Sequence, residues 1–184
     1  MKSPSEIYIS KSVSCLQSGK VIAYPTESCF GLGCDPNNSQ AINDIYELKS
    51  RPARMPFIII ISQWAHLNDF DCVISVEQRK LLTKSWPGPT TWLIPLRKHH
   101  MLASKEQKIA VRMTEHSIAK AICDHWHGAI VSTSANPHGL PSAKTAKEVD
   151  DYFGNKISYV FDGPIGSRNK PSDIFDLETN QQLR

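Results

Sequence analysis

Four short segments of this chain gather polar side chains where apolar stretches end. Thr26 and Glu27 follow "KVIAYP"; Lys49, Arg51 and Arg54 crowd "KSRPAR"; Arg112 closes "KIAVR"; Ser132, Ser134 and Asn136 fill "STSAN", with Ser142 a little further on. Three of them follow β-branched runs of strand length, and in α/β sheets ligands settle in crevices at strand ends. If the four converge, they make one site of hydroxyls, amides and fixed cations with no nucleophile–base pair of the usual kind. Such a site suits a polyanion such as a nucleoside triphosphate, whose charge Arg, Lys and N–H donors neutralise while charge is in transfer. Ser132, Ser134, Ser142 and Asn136 are donors and acceptors for its phosphates, ribose or base. Taken singly, "KSRPAR" is equally a solvated helix end and "STSANPHGLPSA" an ordinary turn.

Other features carry less chemistry. "GLG" at 31–33 lacks the phosphate-loop and dinucleotide patterns and reads as a tight turn between strand and helix. Glu27 is a lone carboxylate after a strand, a weak pointer to a general base or metal partner. His125 and His127, two apart on one helix, would face different ways, so no histidine metal site is expected.

These segments need a scaffold, and the hydrophobic pattern supplies an α/β one. A first helix is read over 5–18, and "KVIAYP" as a buried strand ended by proline. Asn38 caps a helix over "SQAINDIYELKS", with Ile42, Ile45, Tyr46 and Leu48 on its apolar face, Lys49 in its last turn and Pro52 stopping it. "FIIIIS" is the pattern of a strand covered on both faces. A short helix follows at 62–68, then "SVEQRKLLTKSW" as a helix, "TTWLIPL" and "KIAVRM" as strands, "HSIAKAICDHW" as a helix and "GAIVSTS" as a strand. Lys144 to Phe153 is helical, "ISYVFDG" and "SDIFDL" are late strands, and 97–108 is a polar, mobile loop. This order predicts a single α/β domain over 1–184 built on a twisted mixed sheet flanked by helices.

Composition narrows the class. The 184 residues are 40% apolar and 21% charged with net charge +3. That is a soluble globular balance, compatible with an anionic ligand or an RNA surface but demanding neither. Five scattered cysteines with no CxxC pair point to reduced thiols and a cytoplasmic setting. No apolar run approaches the roughly 20 residues that span a bilayer, and the N-terminus has no apolar signal core.

Taken together, "YPTESCFGLGCDP", "IYELKSRPARMPFIIII", "WPGPTTWLIP", "IAVRM" and "VSTSANPHGLPSAKT" resemble, in order and spacing, the YrdC/TsaC family of threonylcarbamoyl-AMP synthases. The resemblance runs from about Lys20 to the end and is to the short bacterial form. It implies a concave, basic cavity in the sheet and the synthesis of threonylcarbamoyl-adenylate and pyrophosphate from L-threonine, bicarbonate and ATP. Mg2+ is expected to accompany the ATP, and a separate protein complex to pass the threonylcarbamoyl group to adenosine 37 of tRNAs reading ANN codons. By the same resemblance Lys49 and Arg51 hold phosphates and the carbamate. Arg51, Ser134, Asn136, Ser142 and Arg184 bind ATP. Thr26, Arg112, Ser132 and Ser172 bind threonine, with Arg112 on its carboxylate. Met55 departs from the Asn or Lys of many relatives, leaving Arg54 to substitute. The competing expectation is an RNA-binding module of the same fold holding tRNA or double-stranded RNA on a basic face without chemistry.

Overall fold

The computed structural model describes residues 4–50 and 57–184. In chain order the elements are α1 (Pro4–Gln17), β1 (Ile22–Pro25), β2 (Phe30–Gly33), α2 (Ser39–Leu48), β3 (Ile58–Ile61), α3 (Val76–Thr83), β4 (Thr90–Pro95), β5 (Lys108–Met113), α4 (Ser117–Trp126), β6 (Ile130–Ser134), α5 (Ala146–Phe153), β7 (Tyr159–Val160) and β8 (Asp173–Asp176). The eight strands form one mixed sheet in the order β7-β1-β2-β6-β3-β5-β4-β8. β1–β7, β3–β5 and β4–β8 pair parallel and the other neighbours antiparallel.

Alternation along the strands assigns the two faces. Ala23, Leu32, Ile59, Ile61, Ile94, Ile109, Val111 and Val131 point into the larger core, which Ala41, Ile42 and Ile45 of α2, Leu82 of α3, and Val149 and Phe153 of α5 close. Ile22, Tyr24, Ile60 and Ile130 point the other way, under Ile9, Val13 and Leu16 of α1 and Ala119, Ile122 and Cys123 of α4. "FIIII" is therefore covered on both sides, and each fully buried isoleucine contributes about 1.5–3 kcal/mol by leaving water.

Local chemistry sets the helix ends. The Asn38 side chain accepts from Ala41 N at 3.0 Å, and Ser75 and Gln78 form a reciprocal cap on α3. α2 stops at Leu48, before Pro52 is reached: Lys49 is its C-cap and Ser50 turns left-handed at φ 47°. Arg51, Pro52, Arg54 and Met55 lie outside the described residues.

The expected turn at "GLG" is instead strand β2, antiparallel to β1 with Pro25 opposite Phe30 and Ile22 opposite Gly33. Its glycines are there for close packing. A Cβ on Gly33 would stand 2.7 Å from Tyr24 Cε1 and 2.8 Å from the Val131 carbonyl oxygen. The expected 62–68 helix is a 3₁₀ turn, Trp64–Phe70, and the late strands are short. Within 97–108, Leu102 is buried, Ser104 N donates to Lys108 O at 2.8 Å, and Lys108 already belongs to β5.

Candidate functional site

The face under α1 and α4 is apolar only in part. Register puts Ser132 beside Ile58 and Arg112 beside Ile60, and Ser134 opposite Gly31. Ile58 and Ile60 share that face, so Ser132, Ser134 and Arg112 do as well. Polar side chains thus replace apolar ones toward the end of β6 and across β5. A Cβ on Gly31 would lie 3.3 Å from Thr26 Cγ2 and 3.4 Å from Ser132 Oγ, so the missing side chain lets Thr26 and Ser132 approach one another.

Two of the four sequence segments meet around Lys49. This residue is buried, and its Nζ donates to Ser134 O, to Asn136 O at 2.9 Å and to Asn136 Oδ1 at 3.2 Å. His138 N donates to Lys49 O at 2.7 Å, so both backbone and side chain tie the end of α2 to the loop after β6. Asn136 Nδ2 in turn donates to Leu140 O at 2.7 Å. The lysine ammonium is the node around which "STSAN" is folded. Arg51, its expected companion, lies outside the described residues.

The other two segments meet around Arg112. Thr26, Glu27, Arg112 and Ser132 are all buried. Thr26 Oγ1 donates to Cys29 O at 2.7 Å, closing the β1–β2 hairpin loop. Glu27 Oε1 accepts from Thr114 Oγ1 at 2.6 Å, and Glu27 Oε2 lies 3.0 Å from an Arg112 terminal nitrogen. Burial pushes the Glu27 carboxyl up, but Arg112 and the Thr114 hydroxyl outweigh it and hold it below the ordinary carboxylate range. The loop after β7 is docked here too: Gly166 N donates to Thr26 O at 2.9 Å and Arg168 N to Glu27 O at 3.0 Å. A cavity of about 670 Å³ opens on this side, lined by Glu27, Pro89, His116, Ser117, Gly166 and Arg168 among others.

Ser172 and Arg184 join each other. Arg184 donates from Nε and a terminal nitrogen to Ser172 O at 3.3 and 3.1 Å, and Ser172 Oγ lies 2.8 Å from Thr91 Oγ1. Burial and, with Asp173 opposing, the neighbouring Arg112 hold the Arg184 guanidinium below its ordinary range. Arg184 therefore stands in the electrostatic reach of Arg112. Ser142 is placed differently: with Pro141, Lys144, Glu148, Asp151 and Tyr152 it lines a cavity of about 500 Å³.

Residue-by-residue reading of the sequence did not join Glu27 to Arg112, nor did it single out Thr114, Thr91 or His116. The only signal was position: Glu27 follows Thr26 directly, and Thr114 follows Arg112 by two. Among the described residues no helix is long and apolar enough to cross a membrane.

Comparisons with known proteins give the family and the fold. The model of the Sua5/YciO/YrdC family, described as telomere recombination, matches residues 14–184. The chain is 40% identical over 176 residues to a threonylcarbamoyl-AMP synthase of Photobacterium profundum, covering 94% of this chain and 95% of the relative. It is 42% identical over 171 residues to one of Methylobacillus flagellatus, covering 92% and 94%. The structure of P. abyssi Sua5 complexed with L-threonine superposes with a TM-score of 0.86 at 30% identity over 97% of this chain, which spans about half (53%) of that longer protein. E. coli YciO, 22% identical with a TM-score of 0.84, shares the fold. The chain belongs to the Sua5/YciO/YrdC family.

Proposed function

We propose that this protein is a threonylcarbamoyl-AMP synthase of the nucleotidyltransferase class, condensing L-threonine, bicarbonate and ATP. The threonine amine attacks the carbon of bicarbonate-derived CO2 and forms a carbamate. A carbamate oxygen then attacks the α-phosphorus of ATP, the bond to the β-phosphate oxygen breaks, and pyrophosphate leaves. Both partners in the second step are anions, so the site has to supply fixed positive charge to bring them together. Mg2+ enters with ATP as part of the substrate and neutralises its phosphates.

The observation that carries this reading is the placement of two basic side chains at one sheet: Lys49, at the end of α2, bound into the Ser134–Asn136 loop, and Arg112, on the face that Ser132 shares and ion-paired to Glu27. The first suits the nucleotide. Ser134 and Asn136 contact it there, Lys49 with Arg51 offsets the charge of phosphates and carbamate, and Ser142 and Arg184, which lie apart from this cluster, are assigned to the nucleotide by the resemblance. The second suits the amino acid. Arg112 takes its carboxylate, and Thr26, Ser132 and Ser172 surround the rest. The product serves a separate protein complex that modifies adenosine 37 of tRNAs reading ANN codons, in a cytoplasm that keeps the five cysteines reduced.

The test is product formation by the full chain with MgATP, bicarbonate and L-threonine, followed as pyrophosphate and threonylcarbamoyl-adenylate. Product that requires both threonine and bicarbonate and is lost in Arg112→Met supports the reading. No product, with tight salt-sensitive binding of tRNA, replaces it with an RNA-binding role.

A further inference from the structure

The backbone carbonyls from Thr26 to Phe30, in the turn between β1 and β2, are each taken by a donor. Thr26 O accepts from Gly166 N at 2.9 Å and Glu27 O from Arg168 N at 3.0 Å, both on the loop after β7. Cys29 O accepts from Thr26 N at 2.9 Å and Thr26 Oγ1 at 2.7 Å, within the turn itself. Phe30 O accepts from Ala135 N at 2.8 Å, and Phe30 N donates to Ala143 O at 2.8 Å. Ser28 O, at the tip, accepts from Lys144 Nζ at 2.6 Å. Of these donors from outside the turn, only Lys144 is a side chain.

Lys144 reaches across from a fixed point. Its own N donates to Glu148 Oε2 at 2.5 Å, and Thr145 beside it caps α5 by accepting from Glu148 N at 3.1 Å. The residue stands at the far end of the loop that begins at Ser134, 116 positions from the serine it holds. Lys49 ties down the near end of that loop, while His138 to Pro141 in its middle are exposed. The loop carries the groups assigned above to the nucleotide, Ser134, Asn136 and Ser142. The turn carries Thr26, assigned to the amino acid.

We infer that Lys144 is a positioning residue that couples the two subsites: it pins the tip of the amino-acid turn to the end of the nucleotide loop, so that the ligand ordering one prepares the other. The inference rests on the synthase reading and adds to it a residue that acts through backbone. Two ligands that use one hydrogen-bonded unit share the cost of ordering it, and the second to bind pays less. The coupling is reciprocal, so threonine tightens the nucleotide by the factor with which the nucleotide tightens threonine.

The experiment titrates L-threonine into the full chain with and without Mg2+ and α,β-methylene-ATP, which cannot release pyrophosphate, for wild type, Lys144→Met and Lys144→Arg. Wild type should bind threonine at least about fivefold more tightly with the nucleotide present. Lys144→Met keeps the stem and loses the donors, and should cut that ratio by about threefold or more, the worth of one hydrogen bond. Lys144→Arg, which keeps charged donors for Ser28 O, should restore most of it. The reverse titration, nucleotide with and without threonine, should return the same ratios. A lysine that only closed a surface carbonyl would leave the ratio of Lys144→Met as in wild type. One that itself touched the nucleotide would, when replaced, weaken the nucleotide equally with and without threonine. Either result overturns the inference and leaves the synthase reading standing. So does a wild type that binds threonine equally well with and without the nucleotide, a comparison that needs no variant to fold. A wild type that neither binds threonine nor forms product overturns both.

Discussion

Lys49→Met separates two roles that one lysine combines. The substitution keeps an unbranched stem of similar length in a buried position and removes the ammonium. Three hydrogen bonds go with it, to Ser134 O, Asn136 O and Asn136 Oδ1. Charged donors are worth about 1.5–3 kcal/mol each when their loss strands a buried partner. Two facts reduce the sum. Ser134 O also accepts from Asn136 N at 3.0 Å, and Asn136 is only half-buried, so water reaches its oxygens. The expected loss is therefore about 3 kcal/mol, below the roughly 4.5–9 kcal/mol that three fully stranded partners would cost. For a chain of this length that lowers Tm by about 6–12 °C. The assay is thermal unfolding by circular dichroism beside pyrophosphate release at a temperature where the variant is folded. Activity should be lost even there, because "STSAN" is no longer held to the end of α2. A Tm within about 2 °C of wild type would refute the argument: the loop would stand without the lysine, and any loss of activity would belong to ligand contact alone.

Other outcomes follow from the same geometry. Thr26→Ala should raise KM for threonine more than KM for ATP, while Thr26→Ser, which keeps the bond to Cys29 O, should stay near wild type; equal effects on both substrates would remove Thr26 from the amino-acid subsite. Gly33→Ala puts a methyl 2.7 Å from Tyr24 Cε1 and 2.8 Å from a backbone oxygen, and should destabilise by about 1–3 kcal/mol in thermal unfolding, whereas a tight-turn role without contact would leave Tm unchanged. Burial holds His66 and His116 below the ordinary 6.5. Above that pH neither the folded nor the unfolded chain protonates them; below it the unfolded chain takes up protons that the folded one refuses. Tm should be level at mildly alkaline pH and fall as pH drops from about 6.5 toward the folded values, and a Tm flat down to about pH 5 would contradict their burial as neutral rings.

What a sequence pattern can and cannot carry is visible in three places. "FIIIIS" and the helix after Asn38 were readable because their causes are local: β-branched burial on two faces, and one amide oxygen on a helix N–H. β2 was misread because glycine is ambiguous in a one-dimensional pattern. The same "GLG" serves a turn, where it relieves φ, or a strand, where it admits Tyr24 and the Val131 carbonyl, and only the neighbours that fold against it tell which.

The site shows the same limit at longer range. Its residue types were evident, and Thr26 and Ser132 approach one another across Gly31, but Glu27 had no local reason to be more than a solvated carboxylate. Its partners, Arg112 and Thr114, arrive from β5 and its end, more than eighty residues later. A charge reads as functional only when its counter-charge is known, because the pair decides both whether burial is tolerable and what capacity is left over. Glu27 with Arg112 closes one buried ion pair at 3.0 Å and leaves the Arg112 Nε edge unmet. That unmet cationic edge, produced by the fold and absent from either segment alone, is the capacity that the proposed threonine carboxylate meets.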